Sequence, residues 1–201
     1  MQVKNNQVLL VLLILLSLLT NVGCSSVTPP DKVVDSFLTA LHEGRIEDMA
    51  RYVIPSEDEE AVISELDDPE KANFVNMVLP KISHKINSTS IDGGNAIVKT
   101  SITAPDLLRV FTKVISEMMP LLFVSAFSED SDANNSEEMI NAYLENSLSD
   151  PNVPMTTIDA DIVLKKIDGQ WLIEPSEDLG NALTGNLAKA FAAFEDKAST
   201  E

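Results

Sequence analysis

The chain has 201 residues with 14 basic and 32 acidic side chains, a net charge of −18 with histidine neutral. Such an acidic surface argues against binding nucleic acid and against adsorption on anionic lipid headgroups. A single cysteine excludes internal disulfides, so the folded part of the chain depends on an apolar core.

The first residues have the order of an export signal. Lys4 precedes an apolar run from Val8 to Leu19, which Ser17 alone interrupts. The run is shorter than the about 20 apolar residues that cross a bilayer as a helix. We therefore expect residues 1–23 to be a signal peptide.

Gly23 and Cys24 follow this run, and the junction resembles the lipobox of bacterial lipoproteins, although Asn21 stands where those proteins usually have Leu. The resemblance implies that Cys24 carries a fatty acid such as palmitate and holds the protein on the extracytoplasmic side of a bacterial membrane, in the cell envelope. Two alternatives remain: cleavage at a small residue such as Ser26 with release, or an uncleaved anchor. Residues 24–30 are predicted to be a short tether.

Residues 31–201 are predicted to form one domain that begins with helices. Asp31 can cap a helix with apolar residues at helical spacing, and Gly44 is placed to end it. Further helices are predicted at Ile46–Val53, after the capping box of Ser56 and Glu59, and from Asp68-Pro69 to Pro80.

Two β-hairpins are predicted from alternating apolar and polar residues. The first has its turn at Asp92–Asn95, and the second has its turn at Asp168-Gly169 with Trp171 in the returning strand. A helical insertion at about 105–150 separates them, and its first helix is so apolar that we expect it to be buried over most of its circumference. A last helix is predicted from Ser176 through Leu179, Leu187 and Phe194.

The segments Asp31–Leu41 with Gly44, and Leu164–Ile173, resemble uncharacterised bacterial lipoproteins of the nuclear-transport-factor-two-like superfamily. The resemblance implies an α+β fold with a cystatin-like cone. We accordingly expect a curved antiparallel sheet of about four strands, packed by N-terminal and C-terminal helices, with the helical insertion between the two hairpins. Fold alone does not give function.

Candidate chemistry is sparse, and we assign no catalytic residue, no metal site and no cofactor. His84 shares a strand face with Ile82 and Ile86 and would point into the cone, but no second polar residue on that face could act with it. His42 lies near the end of the first helix, where a structural role is expected. Asp130, Asp132 and Asn134 copy part of a calcium loop that lacks its Gly and Glu, so we interpret it as a solvated loop.

Two function classes follow. The first, which we favour, is a non-catalytic module that binds a protein partner or an apolar small molecule. Its candidate pocket or interface consists of His84 and four residues of the insertion: Met118, Met119, Leu121 and Phe123. The second is a small cone-fold enzyme of isomerase or dehydratase type. A buried polar pair in the cone would favour the enzyme, and an open apolar patch would favour binding.

Overall fold

A computed structural model describes residues 27–55, 68–126, 133–187 and 189–190. The fold is α+β, as predicted: helices pack on an open, antiparallel four-stranded sheet whose strands are ordered β1-β2-β3-β4. Described elements follow one another as α1 Pro30–His42, α2 Ile46–Ala50, α3 Pro69–Val78, β1 Ser83–Asp92, β2 Asn95–Pro105, α4 Leu107–Ala126, α5 Ala133–Ser149, β3 Met155–Ile167, β4 Gln170–Ile173 and α6 Glu177–Leu183.

Helix α1 lies across the core face of the sheet. Its apolar side includes Val34 and Leu38, which are fully buried. The helix starts two residues earlier than predicted, because Pro29 is the N-cap and Pro30 the first helical residue, and Asp31 therefore lies inside the first turn instead of capping it. Gly44 has φ +69° and ends the helix as predicted, since a left-handed residue there lets Arg45 N–H donate to Ala40 O.

Helix α2 is shorter than predicted, because Val53 leaves it to form a parallel bridge with Ile173. Ile173 N–H donates to Tyr52 O at 2.7 Å, and Ile54 N–H donates to Ile173 O at 2.9 Å. These bonds pair the chain around Val53 with the outer edge of β4, so the backbone is extended there and the helix ends before it. The helix predicted after Ser56 lies outside the described residues.

The two predicted hairpins are confirmed. β1 pairs with β2 up to Asp92 and Asn95, and β3 pairs with β4 up to Ile167 and Gln170. Asp168 and Gly169 both have positive φ, as the two-residue turn requires. The central pair, β2 with β3, joins the hairpins over its whole length, from Asn95 opposite Lys165 to Pro105 opposite Met155.

One face of the sheet forms the core with α1 and α6. Alternate residues of β2 and β3, such as Val98, Ile102, Ile162 and Leu164, are fully buried there. Trp171 is also buried, which confirms it as a core residue.

The C-terminal helix is interrupted where the sequence predicts continuity. Ser176 caps α6 through Leu179 N–H, as expected, but the helix ends at Leu183. Gly185 then takes φ +58° and is packed against the backbone of Pro105 and Asp106. The left-handed conformation breaks the helix, and the close backbone contact leaves no room for a side chain at this position. Phe194 lies outside the described residues.

The helical insertion begins and ends at one end of the sheet. Asp106 N–H donates to Pro154 O at 2.8 Å, directly beyond the Pro105–Met155 pair. α4 and α5 pack against each other, and α3 packs against α5. The opposite end of the sheet carries both hairpin turns.

Candidate functional site

Helix α4 is fixed to the domain by one side. Its first turn is capped by the Asp106 carboxylate, which accepts from Arg109 N–H at 3.0 Å. Residues at helical spacing along the inner side are buried; they are Leu107, Val110, Val114 and Met118. Phe111 also contacts Phe74 of α3, with ring centroids 6.1 Å apart.

The outer side of α4 carries a stripe of exposed apolar side chains. Ile115, Met119 and Phe123 are 56%, 59% and 69% exposed, and Leu108 is exposed as well. Because these positions recur at spacings of seven and four residues, they share one side of the helix. We call Leu108, Ile115, Met119 and Phe123 the α4 stripe.

The expectation that this helix is buried over most of its circumference is wrong. Only one side of its described part is buried, and the side of the α4 stripe is accessible to solvent. Of the four insertion residues predicted to line a pocket or interface, Met118 is fully buried, whereas Met119, Leu121 and Phe123 are exposed. Of the predicted residues of the insertion, only Met119, Leu121 and Phe123 are therefore accessible to a ligand or partner.

The polar side chains beside the α4 stripe form hydrogen bonds and ion pairs with neighbouring residues of the same segment. The Thr112 hydroxyl donates to Leu108 O and the Ser116 hydroxyl donates to Thr112 O, each at 2.7 Å. Arg109 pairs with Asp106 and Lys113 pairs with Glu117. A shallow depression of about 460 Å³ lies over these polar residues and Leu108. The stripe is therefore an apolar surface, and the polar side chains beside it already have hydrogen-bond or ion-pair partners.

His84 has a partner that the sequence did not predict. Its Nε2 lies 3.1 Å from Oδ1 of Asp35 on α1, and Lys32 Nζ lies 3.8 Å from the other oxygen of the same carboxylate. The His84 side chain is 16% exposed, and that of Asp35 is 47% exposed. The pair therefore lies at the rim where α1 crosses β1, open to water on the carboxylate side.

His84 shares its strand face with Ile82 and Ile86, as predicted, but what adjoins it is packed core. Thr100 is the one fully buried polar side chain among the described residues, and its hydroxyl contacts Val98 O at 3.4 Å. A proton-transferring residue needs space for a substrate beside it. The clefts described below have other linings, so the structure does not bring His84 to a cavity shared with the insertion residues.

His42 has a structural contact, which differs from the interaction with the helix C-terminus that was predicted for it. Its Nδ1 lies 2.8 Å from Ile82 O, so the ring donates to the carbonyl that precedes β1. This bond joins the end of α1 to the start of the sheet.

Two clefts lie elsewhere on the described residues. One, of about 330 Å³, separates α3 from α5 and is lined by acidic and amide side chains together with apolar ones, among them Phe74, Met77 and Leu144. They bond across it: Asn73 donates to Glu145, and Asn141 donates to Glu70 at 2.8 Å. The other, of about 410 Å³, lies where Val27 and Thr28 pass Trp171 and the Asp168-Gly169 turn.

No group of three metal-ligating side chains occurs among the residues that the structure describes. Cys24 and the calcium-like segment at Asp130 and Asp132 lie outside those residues. Within the described ranges no helix is long and apolar enough to span a bilayer.

Comparisons with known proteins identify no family. No family model matches the chain, and no curated protein matches it. Among solved structures, a protein described as a lipoprotein (ycdA) from Bacillus subtilis subsp. subtilis str. 168 is 15% identical with a TM-score of 0.39. The match covers 85% of this chain and 50% of that one, so the chain spans half the length of that structure. The similarity is too low to identify a fold or a function.

Proposed function

We propose that this protein is exported, anchored to the membrane through a lipid on Cys24, and binds another protein through the α4 stripe. The anchor is supported by the order of charge, apolar run, Gly23 and Cys24. Binding rests on one observation, the row of exposed apolar side chains on α4. Contiguous apolar surface of this kind marks interaction sites on soluble domains.

The shape of the stripe favours a protein over a small molecule. Leu108 and Phe123 are 15 residues apart, which corresponds to about 22 Å along a helix. Small-molecule sites are concave and enclose most of their ligand. A convex helix side of this length instead matches an amphipathic helix or a strand of a partner, which would place its own apolar residues along the row. Met119, with its flexible side chain, can adapt to such a partner.

The anchor is tested by Cys24→Ser. We expect the variant to leave the membrane fraction and to incorporate no labelled fatty acid, whereas the wild type stays in the membrane fraction and incorporates the label. Unchanged membrane partition, together with no fatty acid in the wild type, would refute the anchor.

The binding surface is tested with a photo-cross-linking amino acid at Met119 in the anchored protein. The matched control carries the same group at Lys85, an exposed residue of β1. We expect a discrete protein adduct from Met119 alone, and we expect Ile115→Ser to abolish it without changing the circular dichroism spectrum. Equal adducts at both positions, or none at Met119, would contradict the proposal. An adduct of twice the chain's own mass would assign the stripe to self-association instead.

The enzyme alternative draws on the His84–Asp35 pair, since a carboxylate that orients a histidine is a common acid–base arrangement. Against it stands the exposure of Asp35 and the packed core beside His84. The alternative predicts that Asp35→Asn abolishes turnover of a substrate without altering cross-linking at Met119. If Asp35→Asn loses cross-linking at Met119 and the wild type shows no detectable turnover, the enzyme alternative is rejected.

A further inference from the structure

The chain enters the domain beside the hairpin turns. Val27 and Thr28 lie in the cleft formed with Trp171 and the Asp168-Gly169 turn. Cys24 is three residues before Val27, and three peptide units of any conformation reach at most about 11 Å. A lipid on Cys24 would therefore hold this end of the sheet close to the bilayer surface.

Both hairpin turns lie at this end. Lys166 N–H donates to Gly94 O at 2.8 Å, and Asn95 pairs with Lys165, so the turns are directly in contact. The insertion joins the sheet at its other end, where Pro105 pairs with Met155. The molecule thus has a tether end and an insertion end.

Apolar side chains are exposed at the tether end, where none of the described helices covers them. Ile91 is 58% exposed, and Ile167 and Val27 are also exposed. Lys166 extends over the Trp171 ring, with Nζ 5.7 Å from its centroid. Apolar side chains mixed with lysines whose stems lie along apolar surface are typical of protein surfaces at the membrane interface.

Basic side chains lie at the tether end of this acidic chain. Arg51 lines the cleft there, and Lys165 and Lys166 precede the second hairpin turn. They lie among acidic residues that include Asp92, Asp168 and the Asp48 carboxylate paired with Arg51. The whole chain carries a net charge of −18. The basic side chains at this end can face anionic lipid headgroups, which would repel the acidic surface elsewhere on the chain.

We propose that the tether end is a membrane-contacting surface, in which Ile91, Ile167 and Val27 lie at the headgroup level of the bilayer that holds the Cys24 lipid. This inference rests on the lipid anchor proposed above. The anchor supplies the attachment, and the exposed side chains set the orientation. The α4 stripe, rooted at the insertion end, is then held away from the bilayer, where a partner can reach it.

The orientation can be measured by tryptophan fluorescence, because the chain has a single tryptophan. In a Trp171→Phe background, one variant carries Ile91→Trp and the matched control carries Ile115→Trp, both at exposed positions. Each is inserted through its lipid into phosphatidylethanolamine–phosphatidylglycerol vesicles that contain lipids brominated near the headgroup. We expect quenching of the tryptophan at position 91 to be at least twofold greater than at position 115.

Equal quenching at the two positions, greater quenching at 115, or no quenching at 91 would overturn the orientation. Failure of the anchor is detected separately, by fatty-acid labelling. If Cys24 is not acylated, its thiol is coupled to a maleimide-bearing lipid and the same two tryptophans are read, because neither probe uses the cysteine. Ile91→Glu combined with Ile167→Glu should lower quenching of native Trp171, and unchanged quenching of that residue would also count against the contact.

Discussion

Gly185 joins the C-terminal helix to the root of the insertion, and its replacement by Ala should be costly. An added Cβ would lie 2.8 Å from Asp106 Cα and 3.1 Å from Leu107 N, which are backbone atoms that cannot move aside cheaply. Its φ of +58° adds about 1–2 kcal/mol for any residue with a side chain. Overpacking adds about 1–3 kcal/mol. We expect Gly185→Ala to lower the free energy of unfolding by about 2–5 kcal/mol.

Gly44 offers a matched control, since its φ is +69° and nothing lies within 4 Å of an added Cβ. Gly44→Ala should therefore cost only the conformational part, about 1–2 kcal/mol, and the change in unfolded-state entropy is common to both variants. Urea unfolding followed by circular dichroism measures both midpoints and slopes. Losses equal to within about 0.5 kcal/mol would refute the steric reasoning. A lower slope for Gly185→Ala alone would show that α6 detaches before the sheet unfolds.

Three further predictions concern single contacts. Trp171→Ala should lower the free energy of unfolding by about 3–5 kcal/mol, as large core truncations do, and a loss below about 1 kcal/mol would contradict its burial. A double-mutant cycle on His84 and Asp35 should give a coupling of about 0.2–1 kcal/mol, since water screens the exposed carboxylate; a value above about 2 kcal/mol would mean that the pair is shielded. Replacing Leu121 and Phe123 together by Ser should change stability by less than about 1 kcal/mol because both are exposed, and global unfolding of this variant would show that they belong to the core.

Local signals in the sequence predicted what neighbouring residues determine. Asp168 and Gly169 can both adopt positive φ, so these two residues were enough to predict where the second hairpin turns. The apolar spacing of α1 likewise predicted its buried side, because a helix on a sheet must bury one stripe.

Contacts between distant segments were beyond prediction from one sequence. Asp35 and His84 are 49 residues apart, and nothing in either local pattern links them. Gly185 ends α6 because Pro105 lies against it, a contact that the apolar spacing around it does not encode. The outer side of α4 looked like core because composition records hydrophobicity and not which neighbours are present. The exposure of that side is visible only in the folded structure.

The two ends of the insertion are fixed to each other where the chain leaves the sheet at Pro105 and returns to it at Met155, and this bears on how the insertion could vary. Its ends are held together by the Pro105–Met155 pair and the bond from Asp106 N–H to Pro154 O. The register of the sheet is therefore independent of how many residues lie between them, and the entropy of closing a longer loop rises slowly with its length. Segments of other lengths and recognition properties could be grafted at this position. They would need to retain the root side chains that belong to the core of the host domain, which are Leu107, Val110, Leu148 and Val153.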